Sequence, residues 1–182
     1  MIIGVAGPNG AGKGAVIETL VSENFSVHSL SDVIRQVLTE RGLSETRDRM
    51  IEVGRELRRE GGAAVLADKL AHQLRPGVNH AIDSIRHPAE VQALRAVHPD
   101  LWLVWVEAPV QIRFARMQER GRPGDPATLE AMQAYEERER GSADESAQQL
   151  DAVESLADAR FNNSGSKSEL RAAVSAWLAA RG

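Results

Sequence analysis

The stretch Ile2-Ile3-Gly4-Val5-Ala6-Gly7-Pro8-Asn9-Gly10-Ala11-Gly12-Lys13-Gly14 runs from an unbroken apolar segment into a glycine-rich loop, and then into the helix-like stretch Ala15 to Val21. A short apolar run without polar alternation, closed by glycine, reads as a strand covered on both faces. Gly-x-x-x-x-Gly-Lys between a strand and a helix has the pattern of a phosphate-binding loop. Successive backbone N–H groups curl around an anion, the helix N-terminus adds partial positive charge, and the lysine reaches the β- and γ-phosphates of a nucleoside triphosphate. The expected nucleotide-binding residues are therefore Asn9, Gly10, Ala11, Gly12, Lys13, Gly14 and Ala15, with Lys13 also expected to act in catalysis. The pattern usually continues with Ser or Thr, whose hydroxyl ligates Mg²⁺. Here Gly14 and Ala15 follow, and neither offers a hydroxyl. A glycine turn carrying a solvated lysine is the competing reading, and the strand–loop–helix context speaks against it.

With 182 residues, 42% hydrophobic and 26% charged, the chain is expected to form one globular domain over residues 1–182. Its net charge of -4, from 26 acidic and 22 basic residues, provides no overall basic field, so duplex nucleic acid is not an expected partner. Phosphate recognition must be local. The absence of cysteine removes disulfides, thiolate catalysis and zinc–thiolate sites. No apolar run approaches the roughly 20 residues that span a bilayer, and no basic start leads into a long apolar segment with a cleavage site. A cytoplasmic location without a membrane partner is the expectation.

Strand-like runs at Ile2 to Ala6, Ser26 to Leu30, Val78 to Asp83, Leu101 to Glu107 and Ala159 to Asn163 alternate with amphipathic segments. This alternation predicts a parallel α/β sheet. The tryptophans of Leu101-Trp102-Leu103-Val104-Trp105-Val106 read as core. Helix starts are expected at Ser31-Asp32, Pro88, Pro109, Asp125-Pro126, the capping box Ser142-Ala143-Asp144-Glu145 and its repeat Ser166-Lys167-Ser168-Glu169. Two helices, about 47–60 and 63–74 with Gly61-Gly62 as the break, fill the interval between the second and third strands. Residues 121–142 are dominated by charge, Gly and Pro, with only Leu129, Met132 and Tyr135 as anchors. Such a segment reads as a solvated helix that can move.

Phosphoryl transfer needs donor and acceptor held in line, with cations spread over the developing charge. Ser31-Asp32-Val33-Ile34-Arg35 follows the second strand and Asp83-Ser84-Ile85-Arg86 closes the third, so both arginines should fall at the carboxyl edge of the sheet, where open α/β sheets bind ligands. Asp83 has the place of a carboxylate that holds Mg²⁺ through water, with capping of the next turn as its alternative role. Asp32 has the weaker claim to the metal, since capping alone accounts for an aspartate there. Arg113, Arg116 and Arg120 share one helical stripe, with Arg122 just beyond. They either lean over the nucleotide phosphates or form a solvated face. The five histidines, His28, His72, His80, His87 and His98, show no metal-ligand spacing and are assigned no chemistry.

Taken together, Gly7 to Gly14, Ser31 to Arg35, Asp83-Ser84-Ile85-Arg86 and the stretch from Pro109 through Arg116 to Arg120 resemble the nucleoside monophosphate kinase superfamily, of which adenylate kinase is the best-known member. Asp83 to Arg86, Glu90-Val91, and Arg116 to Asp125-Pro126 are most similar to archaeal-type P-loop nucleotide kinases and to the kinase-like half joined to deoxycytidylate deaminase in some bacteria. The resemblance implies a three-layer αβα sandwich around a five-stranded parallel sheet of order 2-3-1-4-5. It also implies a helical substrate-binding insertion at about residues 31–75 and a lid at about residues 121–142. By position, Arg35 and Arg86, with Asp32 and Arg122, would hold the acceptor, and Arg86, Arg116 and Arg120 would act in transfer. Asn163, Ser164 and Gly165 would lie against adenine, and Asp83 and Asp32 near Mg²⁺.

Gly after the loop lysine is shared with adenylate kinases, which follow it with Thr. Ala15 departs from that, as Ser84 does from the usual Gly after the strand-end Asp. The expected activity is ATP- and Mg²⁺-dependent phosphorylation of a nucleoside monophosphate, with a deoxypyrimidine nucleotide as one candidate. A dephospho-CoA or modified-nucleotide kinase and a non-catalytic ATP-binding regulator are the alternatives.

Overall fold

The computed structural model describes residues 1–122, 124–140 and 147–181, with the backbone alone described at 138–140. Five strands, β1 (Ile2–Ala6), β2 (Ser26–Ser29), β3 (His80–Asp83), β4 (Leu101–Glu107) and β5 (Ala159–Asn162), form one sheet. Every pairing is parallel and the order is β2-β3-β1-β4-β5, as the resemblance implied. Around it lie α1 (Lys13–Ser22), α2 (Leu30–Glu40), α3 (Arg47–Gly61), α4 (Val65–Ala71), α5 (Pro88–Val97), α6 (Val110–Arg120), α7 (Leu129–Arg140), α8 (Leu150–Ser155) and α9 (Lys167–Ala179).

The unbroken apolar runs of β1 and β4 are explained by their two covered faces. Side chains alternate across a strand. Ile3, Val5, Val104 and Val106 pack with Val16 and Leu20 of α1 and with Leu170 and Val174 of α9. Ile2, Leu101, Leu103 and Trp105 pack on the other face, against residues of α2, α4, α5 and α8. This is the three-layer αβα arrangement of P-loop kinases. Because β1 has β3 on one side and β4 on the other, the crossovers diverge beside β1, and their carboxyl ends open a crevice there.

Trp105 is buried, whereas Trp102 lies at the rim, edge-on to Trp177 at 5.9 Å and beneath the Arg181 guanidinium at 4.7 Å. Both tryptophans are structural, in line with the sequence reading. The box at Ser166 is formed, with both Ser166 and Glu169 capping α9. The box at 142–145 lies outside the described residues.

Several helix starts are corrected. Leu30 opens α2, capped by the Ser29 hydroxyl, because β2 passes into the helix without a loop; Ser31 is already inside it. Pro109 caps α6 from outside rather than occupying its first turn. Asp125 does not start a helix, since its carboxylate is held by Arg120; α7 begins at Leu129 behind Thr128. The charged run of α7 is not uniformly solvated either, because Met132 and Glu136 are both buried.

Candidate active site

The chain leaves β1 at the buried Ala6 and turns through Gly7, at φ 143°, and Gly12, at φ 101°. L-side chains rarely adopt that left-handed region. A Cβ on Gly7 would also run into the Val106 carbonyl, and one on Gly12 into Asn163 Nδ2. Gly12 is the N-cap of α1, without a side-chain cap and without an acidic residue in the first turn. The positive end of the helix dipole therefore meets no protein anion of its own first turn, which suits it to an external one. Lys13 Nζ donates to the carbonyls of Gly7 at 2.7 Å and Pro8 at 3.0 Å.

The loop is braced from behind. Arg113 Nε donates to Ala108 O at 2.8 Å and Nη1 to Asn9 O at 3.1 Å, while the guanidinium pairs with Glu136 of α7 through Nη1 and, at 3.0 Å, through Nη2. Arg113 is 4% exposed, so it forms no part of a basic face over the nucleotide. Asn163 Nδ2 donates to Ala11 O at 2.8 Å, and its own carbonyl accepts from Arg116 Nη2 at 3.0 Å. Ala11 is buried and its N–H is directed to Pro8 O at 3.3 Å. Loop geometry is thus imposed by α6, α7 and the end of β5.

In front of the loop lies a cavity of about 1130 Å³. Asn9, Gly10, Gly12, Lys13, Gly14 and Ala15 form one wall, and residues of α2 and α3 the opposite one. Nine arginines and Lys13 line it against six carboxylates, a positive excess inside a chain of net charge -4. Asp83, Arg86, Arg116, Arg120, Arg122 and Arg35 are all brought to it. Arg86 Nη1 donates to Gln148 Oε1 at 3.0 Å. Arg120 grips Asp125 in bidentate fashion at 2.8 and 2.9 Å, and these bonds hold the Asp125 carboxyl below the usual carboxylate range. Arg116 Nη1 is buried without a hydrogen-bond partner among the described residues, and lies 3.9 Å from where a Gly12 Cβ would stand.

Other expected residues are not brought together. Asp32 does not line the cavity: one turn before Arg35, it is spent on the 2.7 Å bond to Arg35 Nη1 with its side chain 66% exposed. Arg35 is further occupied by Glu45 at 3.0 Å and is itself 44% exposed. Asn163 and Gly165 border a separate hollow of about 350 Å³ between β5 and α9. Ser164 borders neither cavity, its N–H being capped by Asn162 Oδ1 at 3.0 Å. Asp83 lines the cavity, and its Oδ1 accepts the Ser84 N–H at 2.7 Å, the turn-capping role. Ser84 holds φ 67°, with its hydroxyl accepting from Ser29 at 3.1 Å. Among the described residues, no group of three or more His, Asp or Glu could hold a metal. His28 and His80 meet ring to ring, Nε2 to Nδ1 at 3.0 Å, and His87 caps α5.

Sequence reasoning missed four residues of this neighbourhood: Glu136, Gln148, Arg58 and, as a functional group, Glu90. Arg58 of α3 and Glu90 of α5 form an ion pair at 2.7 Å, with side-chain exposures of 3% and 0%. Glu90 Oε2 also accepts the backbone N–H groups of Arg86 at 2.8 Å and His87 at 3.0 Å. The signal for Glu90 was the order His87-Pro88-Ala89-Glu90, in which the third helical residue reaches back to the cap. No local signal marks Arg58.

A family model described as an AAA domain matches residues 3–145. A UPF0200 protein of Thermococcus gammatolerans is 32% identical over 175 residues, spanning 93% of this chain and 89% of its own. One from Halobacterium salinarum is 34% identical over 184 residues, spanning 98% and 93%. The chain belongs to the AAA-domain family and to the UPF0200 proteins. Solved structures similar to this UPF0200 member include TT1252 from Thermus thermophilus, at TM-score 0.60 and 22% identity over 100% of this chain and 98% of that one. Shikimate kinase from Aquifex aeolicus follows the same fold at TM-score 0.56 and 18% identity, over 100% of both chains. The fold of this chain is therefore the α/β fold of these P-loop kinase neighbours. No described helix is long and apolar enough to cross a membrane.

Proposed function

We propose that this chain transfers the γ-phosphoryl group of ATP to a nucleoside monophosphate, with a deoxypyrimidine nucleotide among the candidate acceptors. One observation carries the reading: an uncapped P-loop helix and a wall of arginines face each other across a single cavity. A drug-sized ligand occupies roughly 300–1,000 Å³, so a space of about 1130 Å³ suits a nucleotide together with an acceptor.

The donor side fits ATP. Gly7 and Gly12 let Val106 and Asn163 pack directly against the loop and so hold its backbone in the turn, and Arg116 carries a buried Nη1 without a partner among the described residues beside Gly12. The loop amides, Lys13, Arg116 and Arg120 would hold the phosphates and stabilise the charge that develops on the transferring group. Lys13 would exchange the Gly7 and Pro8 carbonyls for phosphate oxygens. Adenine would lie toward Asn163-Ser164-Gly165. Among the carboxylates that line the cavity the protein offers Asp83 at the end of β3, and it has no loop hydroxyl. That suits Mg²⁺ retained largely by water and phosphate oxygens, where it would neutralise phosphate charge. On the acceptor side, Arg86 and its neighbours favour a substrate that already bears a phosphate. A larger phosphorylated acceptor, such as dephospho-CoA or a modified nucleotide, is a second reading. It is favoured by the length of α3 along the cavity, from Arg47 to Arg59, about 18 Å at the helical rise.

The test is an acceptor screen with ATP, Mg²⁺, nucleoside monophosphates and dephospho-CoA. The expected result is ADP formation that depends on one acceptor and is abolished by Lys13→Met. ATP binding without acceptor-dependent turnover across the panel would instead make the chain a nucleotide-binding regulator. Arg86→Ala is expected to raise the acceptor KM at least tenfold with little change in ATP affinity, about the loss of one charge-assisted hydrogen-bonding group.

A further inference from the structure

Glu90 is wholly buried, yet all its hydrogen bonds point toward the acceptor end of the cavity. Oε1 accepts from Arg58 Nη2 at 2.7 Å, and Oε2 accepts the backbone N–H groups of Arg86 and His87 at 2.8 and 3.0 Å. One carboxylate thus fixes the backbone from which Arg86 extends and the guanidinium of Arg58. Both arginines line the cavity. Arg58 Nε is buried and unpartnered among the described residues, so the guanidinium is held by its tip while part of its donor capacity is unused. Gly54, one turn earlier on α3, lets Ile34 of α2 pack closely beside the guanidinium. A Cβ there would lie 3.4 Å from Arg58 Nη1 and 3.1 Å from Ile34 Cδ1.

Arg35 was the expected companion of Arg86. It is 44% exposed and already donates to Asp32 through Nη1 and to Glu45 through Nε, so an acceptor would compete with two carboxylates for it. Arg58 is already desolvated and oriented, and a preorganised guanidinium loses little freedom when it receives a phosphate. We infer that Arg58 is the second guanidinium of the acceptor-phosphate site, beside Arg86, and that Glu90 is the positioning residue for both. The inference rests on the kinase reading for its biological meaning, but a binding measurement tests it independently.

The measurements use the full chain with ADP saturating the P-loop, titrated calorimetrically with dCMP, AMP and inorganic phosphate, alongside steady-state turnover. Glu90→Gln keeps the shape and removes the charge. It is expected to weaken monophosphate binding, and to raise the acceptor KM where turnover occurs, on the order of 10- to 100-fold, with ADP affinity unchanged. Arg58→Lys should recover only part of the Arg58→Met loss, because a point charge cannot replace the planar fork. The paired change Arg58→Met with Glu90→Met separates a positioning role from a merely structural one. Buried ion pairs are often replaced by apolar residues without loss of stability. That variant is expected to bind monophosphate more weakly than Arg58→Met, because Arg86 also loses its anchor, with a Tm lowered only by the two backbone N–H groups that Glu90 no longer accepts. Recovery of wild-type acceptor affinity in the paired variant would overturn the inference, as would unchanged affinity in Glu90→Gln. If Glu90→Gln fails to fold, the paired variant and Arg58→Lys decide it. Monophosphate binding that depends on Arg58 without any turnover would reject the kinase reading and keep this site. Turnover with an acceptor KM indifferent to Arg58 would do the reverse.

Discussion

Gly14 separates two reasons for having glycine in a phosphate loop. Gly12 is required by its left-handed backbone and by the Asn163 amide packed against it, so Gly12→Ala should strip ATP binding and destabilise the fold by roughly 1–3 kcal/mol. Gly14 has helical backbone and nothing within 4 Å of its missing Cβ. Serine there meets open space and has better helix propensity, so Gly14→Ser is expected to leave stability unchanged or raise it by about a few tenths of a kcal/mol, with Tm unchanged or slightly higher. It also puts a hydroxyl at the position where P-loops ligate magnesium, and the Mg²⁺ concentration for half-maximal turnover should fall. Thermal melts and a Mg²⁺ titration check both, and a lower Tm or a higher Mg²⁺ requirement would show that position 14 is constrained after all. Ala15 is less open, since it packs partly against the core formed by α1 and α9.

At the level of elements, α7 is joined to the phosphate loop through one side chain. Arg113 links Glu136 of α7 to the Asn9 and Ala108 carbonyls, so the helix and the loop share a guanidinium. Removing one partner of a buried pair leaves an uncompensated charge, at a penalty of about 3–5 kcal/mol. Glu136→Gln should therefore weaken ATP binding on the order of tenfold while leaving the acceptor KM at saturating ATP nearly unchanged. Nucleotide titration with parallel kinetics measures this, and equal weakening of donor and acceptor would reject the assignment. This tie was not legible in the sequence, because Arg113 sits in a stripe with Arg116 and Arg120, and Glu136 in a run of similar letters. Which member of a charged run turns inward is decided by tertiary packing. β1 and β4 were legible for the opposite reason, since a central parallel strand must be apolar on both faces and its letters leave no alternative. The start of α2 was read two residues late because Leu30 extends the apolar pattern of β2 while already belonging to the helix. Arg58 escaped because its partner, Glu90, is 32 residues away.

Over the whole molecule, pH acts through the ties between strands. His28 of the edge strand β2 meets His80 of β3, and burial, then the neighbouring imidazole, push His28 below its ordinary value, with Asp32 opposing. In the unfolded chain this group takes up a proton near pH 6.5, whereas in the fold it stays neutral to lower pH. The unfolded state then binds more protons in that window, so stability falls as pH drops from about 6.5 through the folded value. The denaturation midpoint should be lower at pH 5.5 than at pH 7.5, and His28→Gln should flatten the difference; an unaltered slope would place its origin elsewhere. The two buried Arg–Glu pairs have a longer-range meaning. One ties α6 to α7 behind the phosphate loop, the other ties α3 to α5, and they share no residue. Ile51, Glu52 and Arg55 line the cavity on α3 ahead of Arg58 and belong to neither pair, so changes there leave both attachments in place. Under the proposed kinase reading, a lineage that keeps this frame can exchange one phosphorylated acceptor for another through changes along a single helix face.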